Sequence, residues 1–171
     1  MTRPRMIYPS QERLRERFEY DSEQGLLVSI HSNHNQRRRR RTGVTSPKDY
    51  RRTHLEGRYY CHHRLVWIWH HGAIDPEILV DHINRDRHDD RIENLRLATA
   101  SQNNAHSAMS RSNTSGYKGV TFGKKEGKWK AQIRVNYKKK HLGHFPTKEE
   151  AAAAYQKAAA EMHGTFAGAV S

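Results

Sequence analysis

Residues 81–104 read DHINRDRHDDRIENLRLATASQNN, and this stretch decides the fold of the first half of the chain. The run ILVDHI predicts a strand that ends in Asp81 and His82, NRDRHDDRIEN a polar loop, LRLAT a second short strand, and ASQNNAHSA the start of a helix with Asn103 in its first turn. Neighbours on a strand point to opposite faces, so Asp81 and His82 can serve different tasks. A carboxylate and an amide oxygen are hard ligands of the kind Mg²⁺ takes, leaving its other positions to water and phosphate oxygens. A neutral imidazole can remove a proton from an attacking water. Asn94 stands twelve residues after His82, where the loop rejoins the strand, and its amide is placed to tie the loop backbone together.

Working outward, the composition narrows what comes to such a site. The chain has 171 residues, 35% of them apolar, which predicts small modules with basic connections rather than one large core. Lys and Arg number 31 against 18 Asp and Glu, a net charge of +13. Such a surface concentrates polyanions and releases counterions on meeting phosphates, so nucleic acid is the first partner expected. A membrane is excluded as partner: no apolar run is long enough to span one, and no lipidation motif is present. Residues 1–20 also lack the apolar core of a signal peptide. The single cysteine, Cys61, rules out intrachain disulfides and paired-cysteine zinc knuckles, and an intracellular setting follows.

Upstream, SQERLRERFEYD carries a capping serine and Leu14 and Phe18 at helical spacing, which predicts a short helix, and GLLVSIH predicts a strand. The following NHNQRRRRRTGVTSPKD is a basic loop whose Arg37, Arg38, Arg39, Arg40 and Arg41 are expected on a phosphate backbone. YRRTHLEGRYYCHH alternates about Glu-Gly as a hairpin. HRLVWIWHHG reads as a helix that is mostly core and is stopped by Gly72. Its flanking His62, His63, His70 and His71 are assigned to packing or surface, because adjacent helical residues diverge and no carboxylate accompanies them. Arg85, Arg87, Arg91 and Arg96 lie close enough in sequence to the site to clamp flanking phosphates.

The Ser, Asn, Thr and Gly cluster over residues 110–116 reads as a linker. Beyond it, YKGVTFG, KWKAQIRVN and KKKHLGHF predict three strands, and PTKEEAAAAYQKAAAEMHG a helix with a Thr147–Glu150 capping box and a stop at Gly164. In KWKAQIRV, Lys130, Gln132 and Arg134 share one face; Trp129, Ala131 and Ile133 share the other and can meet the alanine-rich helix.

The strand–loop–strand–helix pattern with these polar positions resembles the HNH endonuclease family and its ββα-metal motif. EYDSEQGLLVSIH, RLVWIWHHGAI and VDHINRDRHDDRIENLRLATASQNN extend the likeness to the phage, free-standing homing type over residues 10–106. The resemblance implies His82 as general base, Asp81 and Asn103 as ligands of Mg²⁺, with Mn²⁺ as the alternative, and Asn94 as the structural asparagine. Asn103 stands where many members carry a histidine, and His106 is a second candidate there; with no cysteine pairs, no structural zinc is expected. Residues 113–166 resemble the plant Apetala-two/ethylene-response-factor DNA-binding domain, through SGYKGV, GKWKAQIR, HLGHFPTKEEAAAAY and HG. That likeness implies a sheet laid in the major groove and adds Lys118 and Thr121 on the first strand and Lys139 and His141 on the third to the contacts. Thr121, Gln132 and His141 depart from the plant reader types, so the plant target does not carry over.

The expected fold class is therefore α+β: a nuclease domain over 1–108, a linker over 109–115, and a three-stranded antiparallel sheet packed on one helix over 116–171. The expected function is a metal-dependent DNA endonuclease of a homing phage type, acting as a monomer or weak dimer in the host cytoplasm. The rival is a DNA-binding regulator on an inactive nuclease fold, and a basic RNA-binding or packaging protein is a third reading. Target sequence, and nicking against double-strand cleavage, stay open.

Overall fold

The structure is a computed structural model and describes residues 6–30, 49–110, 112–136 and 138–167; the arginines at 37 to 41 lie outside the described residues. The chain folds as two compact units, Met1–Leu97 and Ala98–Ser171, each with its own core. The architecture is α+β, with small antiparallel sheets and, among the described residues, four α-helices. Among the described residues no helix is long and apolar enough to cross a membrane.

In the first unit, helix α1 (Gln11–Arg17) starts where the Ser10 side chain accepts a hydrogen bond from the Arg13 N–H at 3.2 Å. Phe18, expected inside this helix, instead opens strand β1 (Phe18–Asp21) with extended backbone. An aromatic ring loses less rotamer freedom in a strand, and there it is buried in the same core as Leu14. Strand β2 (Leu26–Ser29) pairs antiparallel with β1. Strands β3 (Arg52–Leu55) and β4 (Arg58–Cys61) form the expected hairpin, turned by Glu56 and Gly57 at φ 50° and 77°. Helix α2 (His62–His71) follows directly and ends at Gly72, whose N–H caps Ile68. Leu65, Val66 and Ile68 are buried, and Trp67 and Trp69 pack half-buried around them. Strand β5 (Leu79–His82) then pairs with strand β6 (Leu95–Ala98), and a single 3₁₀ turn (Ile92–Asn94) leads into β6.

Helix α3 (Ala100–His106) belongs to the second unit, so the division falls at Leu97, ahead of the expected 109–115 linker. The reason is packing. α3 rests on the long central strand and the C-terminal helix of that unit, and Ser101 accepts the Asn136 N–H at 3.0 Å. Thr99 and Gln102 make a full capping box at its start. The serine- and asparagine-rich stretch read as a linker is knit into the same unit. Ser115 is buried and its hydroxyl bonds the Val120 carbonyl at 2.9 Å, while Asn113 Nδ2 donates to the Tyr117 carbonyl at 2.8 Å.

Strands β7 (Val120–Gly123), β8 (Lys128–Val135) and β9 (Lys138–Phe145) form one antiparallel sheet in that order. Helix α4 (Lys148–His163) crosses its inner face. Ala131 and Ile133 are buried against Ala151, Ala152, Tyr155, Ala158 and Ala159, because methyl side chains let helix and sheet approach closely. Thr147 accepts from the Glu150 N–H at 3.2 Å, which is half of the expected capping box, and Gly164 ends the helix.

Candidate active site

Asp81 and His82 are the last two residues of β5, and the strand pleat separates them into two environments. Both are buried, at 8% and 4% exposure. Asp81 meets Arg96 across the two-stranded sheet: Arg96 Nε donates to Asp81 Oδ2 at 3.0 Å, and Nη2 lies 3.0 Å from the same oxygen. Arg96, expected on phosphate, therefore has an internal carboxylate partner. His82 faces the other way and its Nε2 lies 2.8 Å from Asp90 Oδ1. With an ionised carboxylate as partner, Nε2–H donates, which leaves the Nδ1 lone pair as the proton acceptor.

Asp90 is fully buried, at 0% exposure. Its second oxygen, Oδ2, accepts no hydrogen bond among the described residues; the nearest cation is the Arg51 guanidinium, 3.8 Å away. The second residue of α2, His63, completes the group, with its ring 5.1 Å from that of His82 and its buried Nδ1 likewise without a hydrogen-bond partner among the described residues. One donor atom each from His63, His82 and Asp90 lies within 4.8 Å of the others. Burial, reinforced by His82, pushes the His63 pKa down to about 3, so its imidazole is neutral and its lone pair is available. Tyr50 covers the cluster, with its ring 4.9 Å from His63 and 6.0 Å from His82, and Arg87 lies over its outer face at 4.9 Å.

The loop that carries Asp90 is held from two sides. Asn94 is buried and its side chain makes three hydrogen bonds: Oδ1 accepts from Asn84 N–H at 3.0 Å, and Nδ2 donates to Asn84 Oδ1 at 3.0 Å and to the Asp89 carbonyl at 2.7 Å. Arg91 donates to both oxygens of Asp89 at 2.8 Å and holds that carboxyl down to about 2. From the other side, Tyr20 accepts the Ile92 N–H at 2.9 Å. Gly25 packs so closely that a Cβ there would collide with the backbone of Asp90 and Arg91. His62 anchors Gly25's neighbours: Leu27 N–H donates to its Nε2 at 3.3 Å, and its Nδ1–H donates to Thr53 Oγ1 at 2.6 Å. Burial lowers the His62 pKa to about 4, which keeps this core imidazole neutral.

Of the residues marked in the sequence, the first unit thus sets His82 and Asn94 at the two ends of one loop, with Asp81 on the opposite face of β5. Arg85 and Arg87 are exposed on that loop, Arg85 in a left-handed conformation at φ 65°. Asn103 lies on α3 in the second unit, as does the buried His106. His63 was assigned to packing or surface for want of an accompanying carboxylate; it is buried, and Asp90 lies near it from 27 residues downstream. Asp90 itself and Tyr50 were not marked at all.

On the sheet of the second unit the marked side chains fall into cross-strand register. Thr121 faces Lys130, Gln132 faces His141, and Arg134 faces Lys139, with a β-bulge between Ala131 and Gln132. His144, unmarked, faces Lys130 on the neighbouring strand, and its ring lies tilted against that of His141 with centroids 4.7 Å apart. Lys118 is different: it precedes β7, and its Nζ donates to the Ala105 and Ser107 carbonyls at 2.6 and 2.7 Å, closing the C-terminal end of α3.

The donor chemistry of the buried cluster suits a divalent ion: two imidazoles and one carboxylate offer ligand atoms within 4.8 Å of one another, and His63 and Asp90 each carry a buried atom without a hydrogen-bond partner among the described residues. Asp81, the oxygen ligand of the sequence reading, is matched instead by a guanidinium.

Comparison with known proteins agrees with this layout. Residues 60–105, from β4 through α3, match the family model described as HNH endonuclease. The chain is 31% identical over 105 residues to Protein 3.8 of Escherichia phage T7, spanning 61% of this chain and 86% of that protein. It is 32% identical over 111 residues to Uncharacterized HNH endonuclease L560 of Acanthamoeba polyphaga mimivirus, spanning 65% of this chain but only 57% of the relative. A stretch of 74 residues is 44% identical to Ethylene-responsive transcription factor ERF117 of Arabidopsis thaliana, covering 42% of this chain and 21% of that factor. No solved structure matches the chain. The matching family model and the phage relative together identify an HNH endonuclease domain in this chain.

Proposed function

We propose that the chain is a metal-dependent DNA endonuclease of the homing type, in which His82 accepts the proton of the attacking water. The observation that carries this reading is the buried His82–Asp90 pair at 2.8 Å. A carboxylate on Nε2–H fixes the tautomer, orients the ring, and stabilises the imidazolium formed when Nδ1 takes a proton. Asn94 holds the loop that delivers Asp90. Arg85 and Arg87 are exposed beside the site and meet the phosphates that flank the scissile bond. Asp81, an oxygen ligand in the sequence reading, would help to hold a divalent ion, Mg²⁺ or Mn²⁺, which would neutralise the charge that builds on the phosphate. Because His82 is covered, substrate reaches its imidazole as Tyr50 swings aside.

The second unit supplies the DNA grip in this proposal. Thr121, Lys130, Gln132, Arg134, Lys139 and His141 form a continuous row of cross-strand partners on the face of the sheet away from α4. Arg and Gln present the bidentate donors and acceptors that read guanine and adenine edges. Joining such a reader to a weakly discriminating nuclease raises the effective concentration of the nuclease at its target.

The test is nicking of supercoiled plasmid in Mg²⁺. His82→Ala abolishes nicking and leaves band-shift affinity for duplex DNA close to that of the parent. Undiminished nicking would remove His82 from the mechanism, and DNA binding without nicking in the parent would favour the regulator reading.

A further inference from the structure

We propose that His63, His82 and Asp90 form a site for a borderline transition-metal ion, Zn²⁺, Co²⁺ or Ni²⁺, and that an ion held there silences His82 as a proton acceptor. The first half stands on geometry alone; the second rests on the reading of His82 as the base.

Three donors meet in one buried place. His63 is 5% exposed, His82 4% and Asp90 0%, and their candidate ligand atoms lie within 4.8 Å of one another. Metal–nitrogen bonds of about 2.1 Å put two ligands of a tetrahedral ion about 3.4 Å apart, so the widest pair closes by little more than about 1 Å on binding. The second, independent sign is unmet bonding capacity. His63 Nδ1 and Asp90 Oδ2 are both buried and neither has a hydrogen-bond partner among the described residues. A buried polar atom without a partner is costly, and one cation liganded by both residues would satisfy the two together.

The ligand types set the class of ion. Two imidazoles and one carboxylate favour zinc, cobalt or nickel, whereas Mg²⁺ prefers an all-oxygen shell and dehydrates reluctantly. Three protein ligands leave room for a water or a phosphate oxygen in the fourth position. Tyr50, partly exposed over both imidazoles, is the side chain that moves to admit the ion.

The functional consequence follows from the chemistry of imidazole. A neutral ring has one nitrogen lone pair and one N–H. If the ion takes that lone pair, the other nitrogen carries the proton, and His82 cannot accept one from water whichever nitrogen is bound. The ion also displaces Asp90 from its hydrogen bond to His82. Such an ion therefore opposes the Mg²⁺-supported reaction rather than driving it.

The experiment uses the full chain, freed of metal by chelation and titrated with Co²⁺. Expected are visible absorption saturating at one equivalent and paramagnetic shifts on the ring protons of His63 and His82 in the unmodified protein. His63→Gln and Asp90→Asn each weaken Co²⁺ binding at least about tenfold, while His88→Gln, on the exposed loop, leaves it unchanged. The ring-proton shifts need no variant, so a misfolded substitution does not blunt the test. No saturable binding, or shifts confined to the exposed His141 and His144 pair, overturns the site. One equivalent of Zn²⁺ added to Mg²⁺-supported nicking is expected to slow it, with recovery on chelation. Unaltered nicking with the site filled overturns the silencing. Absence of nicking in Mg²⁺ alone would instead refute the endonuclease reading, and the Co²⁺ titration would still decide the site.

Discussion

Replacing Asn94 by alanine tests how the site is held. The side chain makes three hydrogen bonds, to the Asn84 backbone, the Asn84 side chain and the Asp89 carbonyl, at 3.0, 3.0 and 2.7 Å. Each is worth about 1 kcal/mol net, so Asn94→Ala costs the loop about 3 kcal/mol. Asn84 is exposed, so water replaces what its groups lose, and the cost stays near this sum rather than rising to full desolvation of each partner. About 3 kcal/mol is about a hundredfold in the equilibrium for opening the loop. Hydrogen exchange at the Asn84 amide reads it directly, because that N–H is protected by Asn94 Oδ1. Exchange there should accelerate by about two orders of magnitude. The Ile83 amide, bonded to the Asn94 backbone carbonyl at 2.8 Å, keeps a partner the substitution does not remove and should accelerate less. Asn94→Asp separates the two halves of the clasp: it retains an acceptor for Asn84 N–H and presents a second oxygen to the Asp89 carbonyl, where only repulsion results. Nicking should fall in both variants as Asp90 loses its seat beside His82. Unchanged exchange at Asn84 in Asn94→Ala would refute the clasp, and full nicking activity with the loop open would refute its bearing on His82.

Other predictions concern neighbouring elements. Gly25→Ala forces a side chain into left-handed backbone at φ 65° and against Asp90 and Arg91; a loss of at least about 1–2 kcal/mol is expected from the conformation alone, measured by urea unfolding. A neutral melt would mean the hairpin does not abut the loop. Arg134→Ala, an exposed residue opposite Lys139, should cost about 1–3 kcal/mol on the preferred DNA sequence and less on others; equal losses on every sequence would make it a phosphate contact. Stability should also fall in acid. The folded pKa of His62 is depressed to about 4, whereas the unfolded imidazole titrates at about 6.5. Its contribution is complete above about pH 6.5, declines by about 1.4 kcal/mol per pH unit below that, and is spent near pH 4. Chelator-treated protein whose denaturation midpoint is flat between these limits would refute a neutral, buried His62.

The hairpin about Glu56–Gly57, the helix stopped by Gly72 and the alanine helix over a three-stranded sheet all follow from local rules of period, turn and cap. They are satisfied within a few residues, so sequence alone carries them. Phe18 departed because its helical spacing and its strand preference competed, and burial beside Leu14 is available to either. Residues 110–116 departed for a different reason. Serine and asparagine are chosen equally for open linkers and for loops closed by their own side chains, and only the partner of Ser115, the Val120 carbonyl, tells them apart. The division at Leu97 depends likewise on what α3 packs against, which no local signal in its seven residues specifies.

At the site, the sequence marked groups by their spacing along one short segment, and His82 and Asn94 are of that kind. What it could not mark was convergence. His63 sits on a helix between two histidines that face elsewhere, His62 into the β2–β3 core and His70 toward Tyr20. Nothing in the string distinguishes the middle one. Asp90 is one of four aspartates between residues 81 and 90, and its neighbour Asp89 is spent on Arg91. The distinction between the two arises from loop geometry: Asn94 pins the Asp89 carbonyl and Gly25 backs the Asp90 backbone, so the adjacent side chain is driven inward against His82. A glycine at left-handed φ, 65 residues before Asp90, thus selects which carboxylate serves the histidine. Pairings fixed at that separation come from tertiary packing, and Gly25, Asn94 and Asp90 must be altered together to relocate the partner of His82.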